Sequence, residues 1–186
     1  MPKLPLLALV LLLGTGCHRQ SPLEVFGSIP DFALTSSTGQ PFRSAESLKG
    51  YIWVADFIFT NCPGPCPRIT ARLRELQDSK TNSAGLRFVS FTIDPARDTP
   101  EVLARYARAF HADPTRWYFL TGPQANLHQL TRNSFMVGNV DGSLEHSTRF
   151  TLVDRQSRIR GYYDSSDPQE LAKLRGDIER LSKEST

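Results

Sequence analysis

Apolar and polar positions along the chain alternate in blocks whose spacing switches between the strand and the helix period. Tyr51 to Phe59 is an apolar run broken only at Asp56, which reads as a strand buried on both faces, as in a parallel sheet. Leu86 to Ile93 and Trp117 to Leu120 predict a second and a third strand. Between these strands, Ile69, Leu73 and Leu76 share one helical face while Arg72, Arg74 and Glu75 lie elsewhere. Thr99-Pro100 predicts a cap followed by a first-turn proline, and Val102, Leu103, Tyr106 and Phe110 stripe the helix that follows. A further helix is predicted over Gln124 to Asn133, with Leu127 and Leu130 inward. Upstream, Phe32 to Thr35 and Gln40 to Arg43 flank a Ser37-Thr38-Gly39 turn and predict a small hairpin; Ser44 to Leu48 then predicts one helical turn closed by Gly50. Downstream, Arg149 to Asp154 and Arg158 to Tyr163 predict a second hairpin, and Leu171, Leu174, Ile178 and Leu181 stripe a closing helix.

This order of elements, a hairpin, then alternating strands and helices, then a hairpin and a helix, predicts an α/β chain. It fits a thioredoxin-like three-layer fold with an N-terminal β-hairpin and insertions.

The first residues do not belong to that pattern. After Lys3 comes an apolar run from Leu4 to Leu13, too short to span a bilayer and fitting a signal-peptide core. Small residues then precede Cys17 and resemble a bacterial lipobox, with Gly14 where the large aliphatic residue usually stands and Leu13 one position further back. Residues 1–16 are therefore expected to be a lipoprotein signal peptide, 17–28 a lipid-anchored tether, and 29–184 the folded domain. The expected location is on a membrane, facing the periplasm or cell exterior. Ordinary cleavage, with Cys17 left as a spare thiol, is the alternative.

About 170 residues remain, enough for one domain with a real core. The formal charge is +3, and basic residues are scattered, so nucleic-acid binding has no support. With Cys17 assigned to the lipid, the chain's three cysteines leave one pair, Cys62 and Cys66, which is too few for a disulfide-built scaffold.

That pair sits in Asn61-Cys62-Pro63-Gly64-Pro65-Cys66-Pro67, directly after the first buried strand. Pro67 suits a first helical position. Two thiols thus stand at the C-terminal end of a central strand, where open α/β sheets bind ligands. Four helical steps separate the two Cα atoms by about 6 Å, close enough for a disulfide or a shared metal ion. A helix N-terminus favours the thiolate, the form that both binds metal and exchanges disulfides. Soft-metal binding and dithiol exchange both remain open here, as does a structural disulfide.

Of the four histidines, His18 adjoins the anchor, His111 follows a helix end, and His128 faces away from Leu127 and Leu130. His146 lies in the segment Asp141 to Thr148, just before the strand beginning near Phe150. In a thioredoxin-like fold the loop entering that strand faces the cysteines and usually carries a cis proline. No proline occurs between Pro123 and Pro168, so an imidazole could take that place.

The Cys62-Pro63-Gly64-Pro65-Cys66-Pro67 motif, the stretch Thr92-Ile93-Asp94-Pro95-Ala96-Arg97-Asp98-Thr99-Pro100 and His146-Ser147 resemble the motifs of the Sco/SenC family over roughly residues 28 to 182. The resemblance implies a membrane-anchored copper protein with Cys62, Cys66 and His146 as the copper ligands. Gly142-Ser143-Leu144-Glu145 departs from the acidic residue and apolar run that the family commonly has before its histidine. Two thiolates and an imidazole suit Cu(I), and hold Cu(II) with a further weak ligand.

The implied role is copper delivery to the CuA centre of cytochrome c oxidase, with the subunit carrying that centre as partner. A periplasmic copper carrier or a thioredoxin-like reductase would be further partners. The alternative is a thiol-disulfide reductase that keeps the oxidase cysteines reduced. A peroxide-reducing protein using Arg149 and Thr60 is a weaker third reading. Asp94 is expected either to support the metal site from behind its ligands or to shape the Asp94-Pro95 turn. Asp56 is expected either to move protons or to be held by a neighbouring polar group.

Overall fold

The computed structural model describes residues 21–79, 85–136 and 148–184. Eight strands form one mixed sheet: β1 (Gly27–Ser28), β2 (Ala33–Ser36), β3 (Pro41–Arg43), β4 (Ile52–Ile58), β5 (Leu86–Thr92), β6 (Trp117–Thr121), β7 (Arg149–Val153) and β8 (Arg158–Asp164). Their order is β1-β8-β7-β4-β5-β6-β2-β3. β4, β5 and β6 run parallel at its centre, and the other neighbours pair antiparallel. The helices are α1 (Ser44–Ser47), α2 (Pro65–Asp78), α3 (Pro100–Ala109), α4 (Gln124–Gln129) and α5 (Pro168–Lys183).

All seven residues of β4 are buried, which is why its apolar run shows no alternation. Ile52, Val54 and Ile58 meet Ile69, Leu73 and Leu76 of α2, Leu103 of α3, and Leu174, Ile178 and Leu181 of α5. Trp53, Ala55 and Phe57 face the other way, onto Leu48, Leu127, Leu130, Phe135 and the hairpin residues Leu34 and Phe42. The expected three layers are present, with an N-terminal hairpin added on β6.

Three differences from the sequence reading have physical causes. Helix α2 begins at Pro65 rather than Pro67, because Pro65 fills the first-turn position just as well and Gly64 ahead of it takes a backbone conformation outside the helix. The helix predicted to Asn133 ends at Gln129 and continues as a single π-turn, Leu130–Ser134. The extra residue in that turn lets Leu130 and Ser134 stay buried while Phe135 lays its ring against Trp53, Phe57 and Phe91. Finally, the stretch expected to be tether up to residue 28 is partly domain: Gly27 and Ser28 pair with Ile159 and Arg158, and Leu23 packs against the core.

Candidate metal and thiol site

Strand β4 ends at Ile58, and the chain turns through Thr60 into the cysteine loop. Asp98, on the turn between β5 and α3, fixes the base of that loop. Its carboxylate is almost wholly buried. It accepts the backbone N–H of Thr60 at 3.2 Å, the Thr60 hydroxyl, and the Thr92 hydroxyl at 2.6 Å. The Thr92 oxygen in turn accepts the Asp94 N–H at 3.0 Å. One carboxylate therefore clamps the ends of both central strands. The sequence reading gave Asp98 no role; its Asp-Thr-Pro setting reads as a helix start, and the local pattern says nothing of a partner 38 residues away.

Cys62 and Cys66 are both free thiols, both buried, and both part of the core cluster on the α2 side of the sheet. Their environments differ. Burial pushes the Cys62 thiol up, but the amides of Cys66 and Gly64 and the Cys66 thiol outweigh it, so Cys62 lies below the usual thiol range. This is the expected effect of a helix N-terminus, supplied by specific N–H groups. Burial pushes Cys66 up to about 12, and the neighbouring Cys62 and Asp56 add to that rise. The first cysteine is thus ready to ionise, and the second keeps its proton until something replaces it.

Thr70 sits one turn below Cys66, donates its hydroxyl to the Cys66 carbonyl at 2.9 Å, and so must accept from Tyr106 Oη, also at 2.9 Å. This chain of bonds ties the first turn of α2 to α3.

Asp56 lies on the same face of β4 as Ile58, two positions from the end of the strand. Burial pushes its carboxyl up to about 7, against an opposing pull from the Ser90 hydroxyl. Neither oxygen has a partner meeting hydrogen-bond geometry among the described residues. Ser90, paired with it in the strand register, accepts the Trp117 indole N–H at 2.9 Å and keeps its own hydroxyl proton to donate. Burial therefore dominates the state of this carboxyl, with Ser90 as its polar neighbour, and Asp56 adds to the rise at Cys66.

Asp94 forms an ion pair with Arg97 at 3.3 Å, and its carbonyl accepts the N–H groups of Arg97 and Asp98. This is the turn-shaping alternative. Among the described residues no hydrogen bond or ion pair links Asp94 to either cysteine. The Thr60 hydroxyl is held by Asp98, and Arg149 begins β7 as an exposed residue.

His146 and Cys17 lie outside the described residues. The described chain resumes at Thr148, and its position there is informative. Strand β7 pairs antiparallel with β4 through Ala55 and Thr151, and continuing that register sets Arg149 level with Phe57. Thr148 thus stands at the end of the sheet from which the cysteine loop leaves. His111 is exposed at the far end of α3 and its carbonyl accepts from Gln77, near the end of α2. His128 is on α4, on the opposite face of the sheet from the cysteines. Among the described residues no group of three His, Cys, Asp or Glu is arranged to hold a metal. The two thiols provide half or more of a soft-metal donor set.

The SCO1/SenC family model matches residues 23–182. A SCO1 protein homolog of Bacillus subtilis (strain 168) is 33% identical over 145 residues, covering 75% of each chain. A protein of Stutzerimonas stutzeri described as a putative copper-binding protein is 35% identical over 146 residues, covering 73% of this chain and 68% of that one. Among solved structures, a SCO1/SenC family lipoprotein from Bacillus anthracis str. Ames superposes with a TM-score of 0.77 at 31% identity, covering 88% of this chain and all of that one. BsSco, described as a Sco-family cytochrome c oxidase assembly protein with a disulfide switch, gives 0.75 at 27% identity, covering 89% and 100%. Copper-bound ScoI of Bradyrhizobium japonicum gives 0.62 at 25% identity, covering 83% and 99%. With the thioredoxin-like layers, the paired thiols at the tip of β4 and these relatives in agreement, the chain belongs to the SCO1/SenC family.

Proposed function

We propose that this protein binds copper through Cys62, Cys66 and His146 and delivers it to the CuA centre of cytochrome c oxidase, from a membrane to which Cys17 anchors it. The observation that carries the reading is the pair of free, buried thiols at the β4 tip, with β7 beginning three residues after His146 at the same end of the sheet. Thiolate sulfur and imidazole nitrogen are donor types that suit Cu(I). Binding must displace the Cys66 proton, which is held tightly, so affinity falls steeply as pH is lowered. The copper-bound and oxidase-assembly relatives support the same reading.

The test is competition with a chelator, using the full chain. His146→Ala is expected to lose Cu(II) affinity severely while its thiols still reduce a disulfide. Equal copper binding by variant and parent would remove His146 from the ligand set.

The unequal thiols favour a second activity on the same residues, thiol-disulfide reduction of the oxidase cysteines before metallation. The Cys62 thiolate attacks a partner disulfide and forms a mixed disulfide, releasing one partner thiolate. Cys66 then displaces the second partner sulfur, leaving a partner dithiol and a Cys62–Cys66 disulfide, a two-electron exchange. A dithiol reductant, such as a thioredoxin-like protein, must restore the pair.

A further inference from the structure

Among the described residues three large apolar side chains are exposed, Val25, Phe26 and Met136, at 49%, 45% and 55%. Single exposed apolar residues are ordinary, but these three are neighbours. Phe26 sets its ring edge-on against Tyr162, with centroids 5.7 Å apart. The Met136 methyl lies over Gly27, 3.5 Å from where a β-carbon would stand. All three stand along the β1 edge of the sheet, Val25 and Phe26 directly before Gly27.

That edge is also where the chain enters the fold. The Ser21 carbonyl accepts Arg180 Nη2 at 2.6 Å, and the Leu23 and Glu24 carbonyls accept the Arg160 guanidinium at 2.8 and 3.3 Å. From Ser21 onward the chain is thus bound to the domain. Only residues 18–20 separate that point from Cys17, and four fully extended steps cover at most about 14 Å. The inference rests on the anchoring of Cys17 proposed above: a lipid there holds Ser21 within that distance of the bilayer surface. The surface around Ser21 consists of the β1 edge and the last turn of α5, whose basic residues are Arg180 and Lys183. Apolar side chains beside a basic helix end suit an anionic headgroup layer.

We propose that Val25, Phe26 and Met136 are a membrane-docking face that dips into the headgroup region of an anionic bilayer and fixes the orientation of the domain on its anchor. Gly27 pairs with Ile159, Ile159 with Val153, and Val153 with Trp53 at the start of β4. β4 ends at Ile58, five residues further along, a rise of about 17 Å, and the cysteine loop leaves from that end. Docking through β1 therefore keeps the cysteine end of β4 three strands in from the lipid-facing edge.

The test uses the full, lipidated chain in phosphatidylglycerol–phosphatidylethanolamine vesicles, with some lipids brominated on their acyl chains as quenchers. Phe26→Trp and, separately, Met136→Trp are read against the native background of buried Trp53 and Trp117. Each new tryptophan is expected to shift to the blue and lose most of its emission, while Arg68→Trp on the exposed side of α2 keeps its own. Adding Val25→Asp should abolish the quenching. Unquenched tryptophans at both 26 and 136 would overturn the docking face, as would a patch covered instead by a second copy, seen as concentration-dependent self-association. Cys17→Ser reads the anchor by itself. Unchanged membrane fractionation of that variant would overturn the lipid anchor, and quenching of the tryptophans at 26 and 136 would then still decide the docking face.

Discussion

Replacing Asp98 with alanine removes the acceptor of three hydrogen bonds at once, from the Thr60 amide, the Thr60 hydroxyl and the Thr92 hydroxyl. Hydrogen bonds to a charged group contribute about 1.5–3 kcal/mol each, and a buried donor left alone costs about 1–3 kcal/mol. Against this stands relief from holding a buried carboxylate, itself several kcal/mol. The hydroxyls can also turn to other acceptors, whereas the Thr60 amide cannot. The net loss expected is about 3 kcal/mol, a fall in Tm of about 6–12 °C for a chain of this size. The effect should reach the thiols. Thr60 starts the loop whose amides hold Cys62 below the usual thiol range, so loosening it moves the Cys62 alkylation profile to higher pH. Thermal unfolding followed by circular dichroism, with iodoacetamide rates across pH, measures both. The reasoning fails if Asp98→Ala melts with the parent and its alkylation profile is unmoved.

Further outcomes follow from the same geometry. Asp56 has its folded pKa raised from 3.8 to about 7, so the native state holds the extra proton and its contribution is present below about pH 4 and lost as pH rises through about 7; the full difference is about 4 kcal/mol. Asp56→Asn should therefore gain stability over the parent progressively between pH 4 and 8 in urea unfolding, and parallel curves would sink the assignment. Brief alkylation near pH 8 should label Cys62 ahead of Cys66, mapped by mass spectrometry; the reverse order would contradict the opposite shifts of the two thiols. Tyr106→Phe removes the donor to Thr70 and should cost about 1 kcal/mol, with an unchanged denaturation midpoint counting against that link.

The cysteine loop was legible because its signals are local. An apolar run, a proline-bounded CxxxC and a following amphipathic stripe each depend on residues a few positions apart, and strand and helix periods make such patterns visible. The family motifs were legible for the same reason. The helix start was misplaced by two residues because Pro65 and Pro67 satisfy the same first-turn rule. The π-turn after α4 was not foreseeable from period, since the burial of Phe135 against Trp53, Phe57 and Phe91 decides it.

By itself the amino-acid order determined that two thiols follow a strand buried on both faces, and that strands and helices alternate around it. Tertiary structure alone decided that Asp98 would bind Thr60 and Thr92, that Asp56 would have no hydrogen-bond partner among the described residues, and that residues 21–28 would join the domain through Arg160, Arg180 and β8. The physical reason is range. Backbone preference and hydrophobic period act over a few residues. Hydrogen-bond partners and desolvation instead depend on which distant segments the packed sheet brings into contact.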